Sequence, residues 1–101
     1  MSTSGTEVRE AVAQSVTVSE DALVVDLADG RTITVPVAWF PRLAHGSRGE
    51  RANWRSIGSG EGIHWPGLDE HISVESLLAG RRSGETQESL RRWLAGRSAA
   101  G

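Results

Sequence analysis

Apolar and polar residues begin to alternate at Ser15. Val16 and Val18 are interleaved with Ser15 and Thr17, the period of a half-buried strand. Glu20-Asp21 interrupts the run as a turn. Leu23, Val25 and Leu27 then share one face, and Val24, Asp26 and Ala28 the other. A third run, Arg31 to Val35, sends Ile33 and Val35 inward and Thr32 and Thr34 outward. Asp29-Gly30 stands between the second and third runs and predicts a type I′ hairpin, whose two central residues both need positive φ. The three runs together predict an antiparallel meander.

Pro36 ends the third strand because it has no N–H for a ladder. The segment Ala38–His45 carries Trp39, Phe40 and Leu43 at near-helical spacing and predicts a short helix with Pro41 in its first turn. Ser47-Arg48-Gly49-Glu50 has the spacing of a capping box, so Arg48–Asn53 is read as a further helical turn. Trp54 to Ile57 alternate, Gly58–Gly62 turns, and Ile63-His64-Trp65 returns, which predicts a second hairpin closed by Pro66-Gly67. Ser73 can cap a helix whose Val74, Leu77 and Leu78 follow the i, i+3, i+4 rule, with Gly80 as its stop. Ser83 is read as the cap of a last helix that runs to Leu94 or Ala95, with Gly96 after it. Its apolar stripe of Leu90, Trp93 and Leu94 is narrow and predicts weak docking, while Glu88 can pair with Arg92.

The fold class is α+β: a small antiparallel meander plus a second hairpin, with short helices and a C-terminal helix. Residues 1–14 are expected to form a flexible lead, 15–80 the α+β domain, and 81–101 a basic helix and tail.

At 101 residues one domain is expected. Cysteine is absent, which removes disulfides, thiolate nucleophiles and Cys-ligated zinc. No apolar run approaches the ~20 residues of a membrane span, and the first residues lack a basic-then-apolar leader pattern. A cytoplasmic protein with no membrane partner is therefore expected. Charge divides the chain. Met1–Gly80 holds six Arg against eleven acidic residues, a net of −5, whereas Arg81–Gly101 holds five Arg against two Glu, a net of +3. An acidic body argues against nucleic acid as partner and for a basic one.

Candidate chemistry is sparse. Gly58-Ser59-Gly60-Glu61-Gly62 lacks the Lys-Ser/Thr that completes a phosphate loop and lies between short strands, so it reads as a turn. His64, Asp69, Glu70 and His71 carry nitrogen and oxygen donors, but no pair has the i, i+4 spacing of a zinc helix. They read mainly as a loop whose acids approach the next helix N-terminus. A small metal-dependent enzyme at His64 and Asp69 is the alternative. No serine sits in a Gly-x-Ser-x-Gly elbow. No catalytic residue, cofactor or metal is assigned, and the chain is not read as an enzyme.

Four tryptophans accompany one phenylalanine and no tyrosine. Around Trp54 they interleave with Arg51, Asn53 and Arg55, as in proteins that stack single-stranded bases, yet the body is acidic. Core packing and a protein interface remain as uses for them. The residues expected to contact a small protein partner are Trp54, Arg55, His64, Trp65, Asp69 and Glu70, with Trp54 and Trp65 as exposed anchors. Two other readings stay open. One is a DNA-associated regulator acting through the arginines of Arg81–Arg97, and the other a homodimer paired through a meander edge or the last helix.

Several strings occur together in order: Asp29-Gly30-Arg31, Pro36-Val37-Ala38-Trp39-Phe40-Pro41-Arg42-Leu43, Arg51-Ala52-Asn53-Trp54, Gly62-Ile63-His64-Trp65-Pro66, Leu68-Asp69-Glu70, Ile72-Ser73-Val74 and Leu77-Leu78. Over about Val16 to Gly80 the chain resembles the bacterial domain of unknown function 2442 family. His71 departs from it, standing where an acid is as common. The resemblance implies a small α+β fold similar to the N-terminal domain of a Nitrosomonas protein of unknown function. It also implies a pairing, as the antitoxin-like partner, with small proteins of the domain of unknown function 4160 type.

Overall fold

The computed structural model describes residues 11–100, with side chains to Arg97. Two three-stranded antiparallel sheets share one core. β1 (Ala13–Val18), β2 (Ala22–Leu27) and β3 (Thr32–Pro36) form the first. Val16 opposes Val25 and Leu23 opposes Val35, so the alternating apolar positions meet on one face. The Asp29-Gly30 turn is not type I′. Gly30 has a φ of +97° while Asp29 does not enter the positive region. The Gly30 N–H donates to Leu27 O and the Leu27 N–H to Arg31 O, the pattern of a three-residue loop with glycine in the left-handed position. Asp29 instead accepts from the Arg31 N–H and from its guanidinium.

A 3₁₀ turn (Val37–Trp39) follows, then α1 (Pro41–Ala44) and α2 (Arg48–Ala52). The expected helix over Ala38–His45 is broken at Phe40, which lies at φ −129°, ψ 88°. A residue before proline is pushed out of the α region, and Pro41 does this here. The capping box at Ser47 forms in full: Ser47 Oγ accepts from the Glu50 N–H, and the Glu50 carboxylate accepts from the Ser47 N–H.

The second sheet is β4 (Arg55–Ile57), β5 (Gly62–Trp65) and β6 (Glu70–Ser73). Residues 70–73 are therefore a third strand and not the loop expected of them; a 3₁₀ turn over Pro66–Leu68 brings β6 back along β5. Asp69 makes that reversal with a left-handed φ of 52°. The two sheets are stitched where the Ala13 N–H donates to Gly60 O. Gly60 has a φ of +97°, and a Cβ there would lie 2.9 Å from the Val12 Cβ, so only glycine fits the junction.

α3 (Val74–Leu78) starts at Ser73, whose Oγ accepts from the Ser76 N–H. It ends in a Schellman pair, Gly80 N–H to Leu77 O and Arg81 N–H to Ser76 O. The last helix, α4 (Gln87–Ala100), begins four residues later than Ser83. Thr86 supplies its cap, Oγ1 accepting from the Ser89 N–H, while Ser83 Oγ accepts from the Glu85 N–H in the preceding turn. Gly96 does not end it. Of the predicted flexible lead, Ala13 and Gln14 lie in β1, and residues 1–10 fall outside the described residues. No helix among the described residues is long and apolar enough to cross a membrane.

Fourteen buried apolar residues form the core. Both sheets contribute to it, Leu23, Val25 and Leu27 from β2 and Ile63, Trp65 and Ile72 from the second sheet, together with Leu43 of α1 and Leu77 of α3.

Candidate functional site

The six residues expected to bind a partner do not form one surface. Trp65 corrects that expectation outright: it is fully buried on the central strand β5, and its indole Nε1–H donates to Arg51 O at 3.0 Å. It is a core residue and cannot anchor a partner. Glu70 opposes it in the ladder, shares its face, and is half-buried. Burial pushes the Glu70 carboxyl above the usual carboxylate range. Arg55 and His64 lie directly opposite each other, with His71 next in line, on the outer face of the second sheet. Trp54 is half-buried against the core. Asp69 sits apart, highly exposed, accepting from the Arg42 guanidinium at 3.3 Å. His64 and Asp69 thus belong to different surroundings, and among the described residues no three His, Asp or Glu side chains are grouped to hold a metal.

Arg42 organises the side of the molecule that carries α4. Its Nε and Nη2 hold the Glu85 carboxylate in a two-pronged contact at 2.8 and 2.7 Å, and Nη1 reaches Asp69 O. Its guanidinium carbon also lies 5.1 Å from the centre of the Trp93 ring, and that of Arg97 lies 4.6 Å from the same ring. Arg97 then clasps Glu50 with two hydrogen bonds of 2.9 and 3.1 Å. The narrow apolar stripe of α4 is therefore supplemented by cations bonded to the body, and the helix docks on its own domain. Arg82 stacks 4.7 Å over Trp39, and Arg92 pairs with Glu88. Only Arg81 and Arg91 of the five C-terminal arginines lack such a side-chain partner among the described residues. Among the described residues, carboxylates neutralise only Arg92 and Arg97 of these five, so Arg81, Arg82 and Arg91 keep their charge.

Glu50 serves two contacts at once, the α2 cap and Arg97. The hydrogen bonds from Arg97 and from the Ser47 N–H hold its carboxyl at about 2. The folded value is depressed, so its contribution is present above the unfolded carboxyl range near 4.3 and is lost as pH falls toward 2. Acid titration is expected to loosen the α4 end in that window, read by amide exchange of α4, while Glu50→Gln is loosened already at pH 7.

A different surface has the chemistry of a docking site. Where the β4–β5 turn meets α3, a recess of about 240 Å³ is lined by Ala11, Val74 and Leu78 with Glu61, Glu75 and Ser73 around them. Leu78 is 43% exposed, one of two large apolar residues left open among the described residues, the other being Ile57 on β4. Among the described residues, neither Glu61 nor Glu75 is ion-paired and no cation lines the recess. The i, i+3, i+4 spacing groups Leu78 with Val74 and Leu77 on one helix face. The signal that separates the two leucines is local: α3 has five residues, and the chain leaves it at Ala79, so the last leucine is not covered. A wide cleft of about 760 Å³ between the β1–β2 turn and α2 is by contrast polar, and its Arg51 is engaged with Leu43 O and Ala44 O.

Residues 13–83 match the family described as protein of unknown function, DUF2442. Two solved structures are similar. One is a crystal structure of a protein of unknown function from Rhodospirillum rubrum, 28% identical, with a TM-score of 0.61, covering 76% of this chain and 93% of that one. The other is a solution structure of an uncharacterized protein from Chromobacterium violaceum, 23% identical, with a TM-score of 0.62, covering 89% of this chain and 79% of that one, and it speaks for the fold alone. No curated protein matches the chain.

Proposed function

We propose, for a chain that belongs to the DUF2442 family of proteins of unknown function, the role of a non-catalytic module that binds and occludes a small basic protein. The observation that carries the reading is the recess at α3: an exposed leucine ringed by two carboxylates that have no cation partner among the described residues. An apolar side chain flanked by arginine or lysine on a partner would fill it and neutralise its rim. The surplus of acid in Met1–Gly80 would steer the approach, an effect that weakens with salt. The antitoxin-like pairing implied by the family resemblance supplies a specific candidate, a protein of the domain of unknown function 4160 type.

The test is co-expression of the full chain with such a protein from the same genome, followed by size-exclusion chromatography and calorimetry. A stoichiometric complex is expected, weakened about tenfold or more by Leu78→Ser, since loss of a well-buried contact residue costs at least ~1.4 kcal/mol. Glu61→Lys with Glu75→Lys should weaken it further. Absence of a complex, or one indifferent to these changes, would overturn the reading. Leu78 is exposed, so the variants are expected to melt with the parent.

A further inference from the structure

We infer that the free edge of β6 is a docking slot for the C-terminal end of an extended peptide, whose terminal carboxylate it holds beside Arg81. The site adjoins the α3 recess, with Ser73 common to both, but rests on different groups: Glu70, His71 and Arg81 in place of Glu61, Glu75 and Leu78.

β6 is an outer strand, paired with β5 on one side only. The His71 N–H donates to the Glu70 carboxylate at 3.1 Å, so it points away from β5. Alternation along an antiparallel ladder then turns the backbone polar groups of Ser73 to the same open side. A cleft of about 250 Å³ runs along this edge. The whole of β6 forms one wall, residues 81–84 the other, and Phe40 contributes an apolar surface. An added strand has a main-chain template there and a bounded space to enter.

The chemistry of the occupant is written in what already fills the edge. Glu70 places a carboxylate on a backbone N–H that a neighbouring strand would use, and no cation among the described residues hydrogen-bonds that carboxylate. Natural edges are protected by charges, proline or a covering element. Here one half-buried side chain does it, folded back on its own strand. A peptide carboxylate can take the same N–H, releasing Glu70 to water. Arg81 supplies the opposite charge: it is exposed, lines the cleft, and its guanidinium has no partner among the described residues. Arg82, held over Trp39, keeps the far wall in place.

The test is a titration of the ¹⁵N-labelled full chain with the tetrapeptide Thr-Val-Thr-Val, once with a free C-terminus and once as the amide. Shifts are expected at His71, Ser73 and residues 81–84, with the acid binding about tenfold more tightly than the amide, as a charge-assisted contact predicts. Glu70→Ala and the better-packed Glu70→Gln should both bind more tightly than the parent, and Arg81→Ala more weakly. Equal binding of acid and amide would overturn the inference. So would an absence of shifts at millimolar peptide in the parent and Glu70→Gln alike. Unchanged resonances of β1 and β2 certify the fold of each variant.

Discussion

Trp65→Ala is expected to unfold the domain or bring it to the edge of unfolding. The side chain is fully buried at the centre of the second sheet, and its removal opens a cavity that the facing strands cannot fill without breaking their own register. Truncations of this kind cost about 3–5 kcal/mol, against a total of roughly 5–15 kcal/mol for a natural domain. Trp65→Phe separates packing from hydrogen bonding. It keeps most of the volume and leaves Arg51 O without its indole donor, a loss of about 1–3 kcal/mol. Urea denaturation of both variants measures the difference. A Trp65→Ala chain as stable as the parent would contradict the central place given to this residue.

Arg42→Ala should release α4 while leaving the sheets intact. The change removes both prongs from Glu85, whose side chain is only 8% exposed, and the cation over Trp93. Hydrogen bonds to charged groups are worth about 1.5–3 kcal/mol each way of counting the pair, and here Ser89 alone would remain on Glu85. Amide exchange is expected to quicken across α4 and stay slow in β2. Glu88→Ala is the contrast. Its pair with Arg92 is 74% and 73% exposed, and its loss is expected to change stability by less than about 0.5 kcal/mol.

The meander, the serine caps at Ser47 and Ser73 and the glycine stop at Gly80 were legible because each rests on neighbours in sequence, while the cap expected at Ser83 fell to Thr86. Alternation, a hydroxyl three residues before an amide, and a left-handed φ need no distant partner. Trp65 shows the limit. Ile63 and Trp65 stand two apart and so share a face, and an exposed Trp65 would carry Ile63 outward with it; the aromatic invited an interface reading that the alternation did not support. β6 was illegible for another reason. Glu70-His71-Ile72-Ser73 has one apolar residue in four and becomes a strand because β5 offers it a ladder. The reach of α4 past Gly96 also depends on a distant group, Arg97 on Glu50, which secures the final turns against the ~1 kcal/mol that a helical glycine costs. Of the binding candidates, Arg55 and His64 were correctly placed in one strand pair, while exposure itself, which separates Leu78 from Leu77, depends on where the chain turns away.

In both sheets every strand pairs with its neighbour in sequence, and loops of three or four residues join them. Closing so short a loop forfeits little chain entropy, so each meander can form on its own before the other exists. What neither can do alone is bury its apolar face. What the fold requires beyond local pairing is that the two halves meet around Trp65, across the α1–α2 connection. A chain built this way is knit by local pairing within each half and made whole by two distant encounters, sheet on sheet and then α4 on the body.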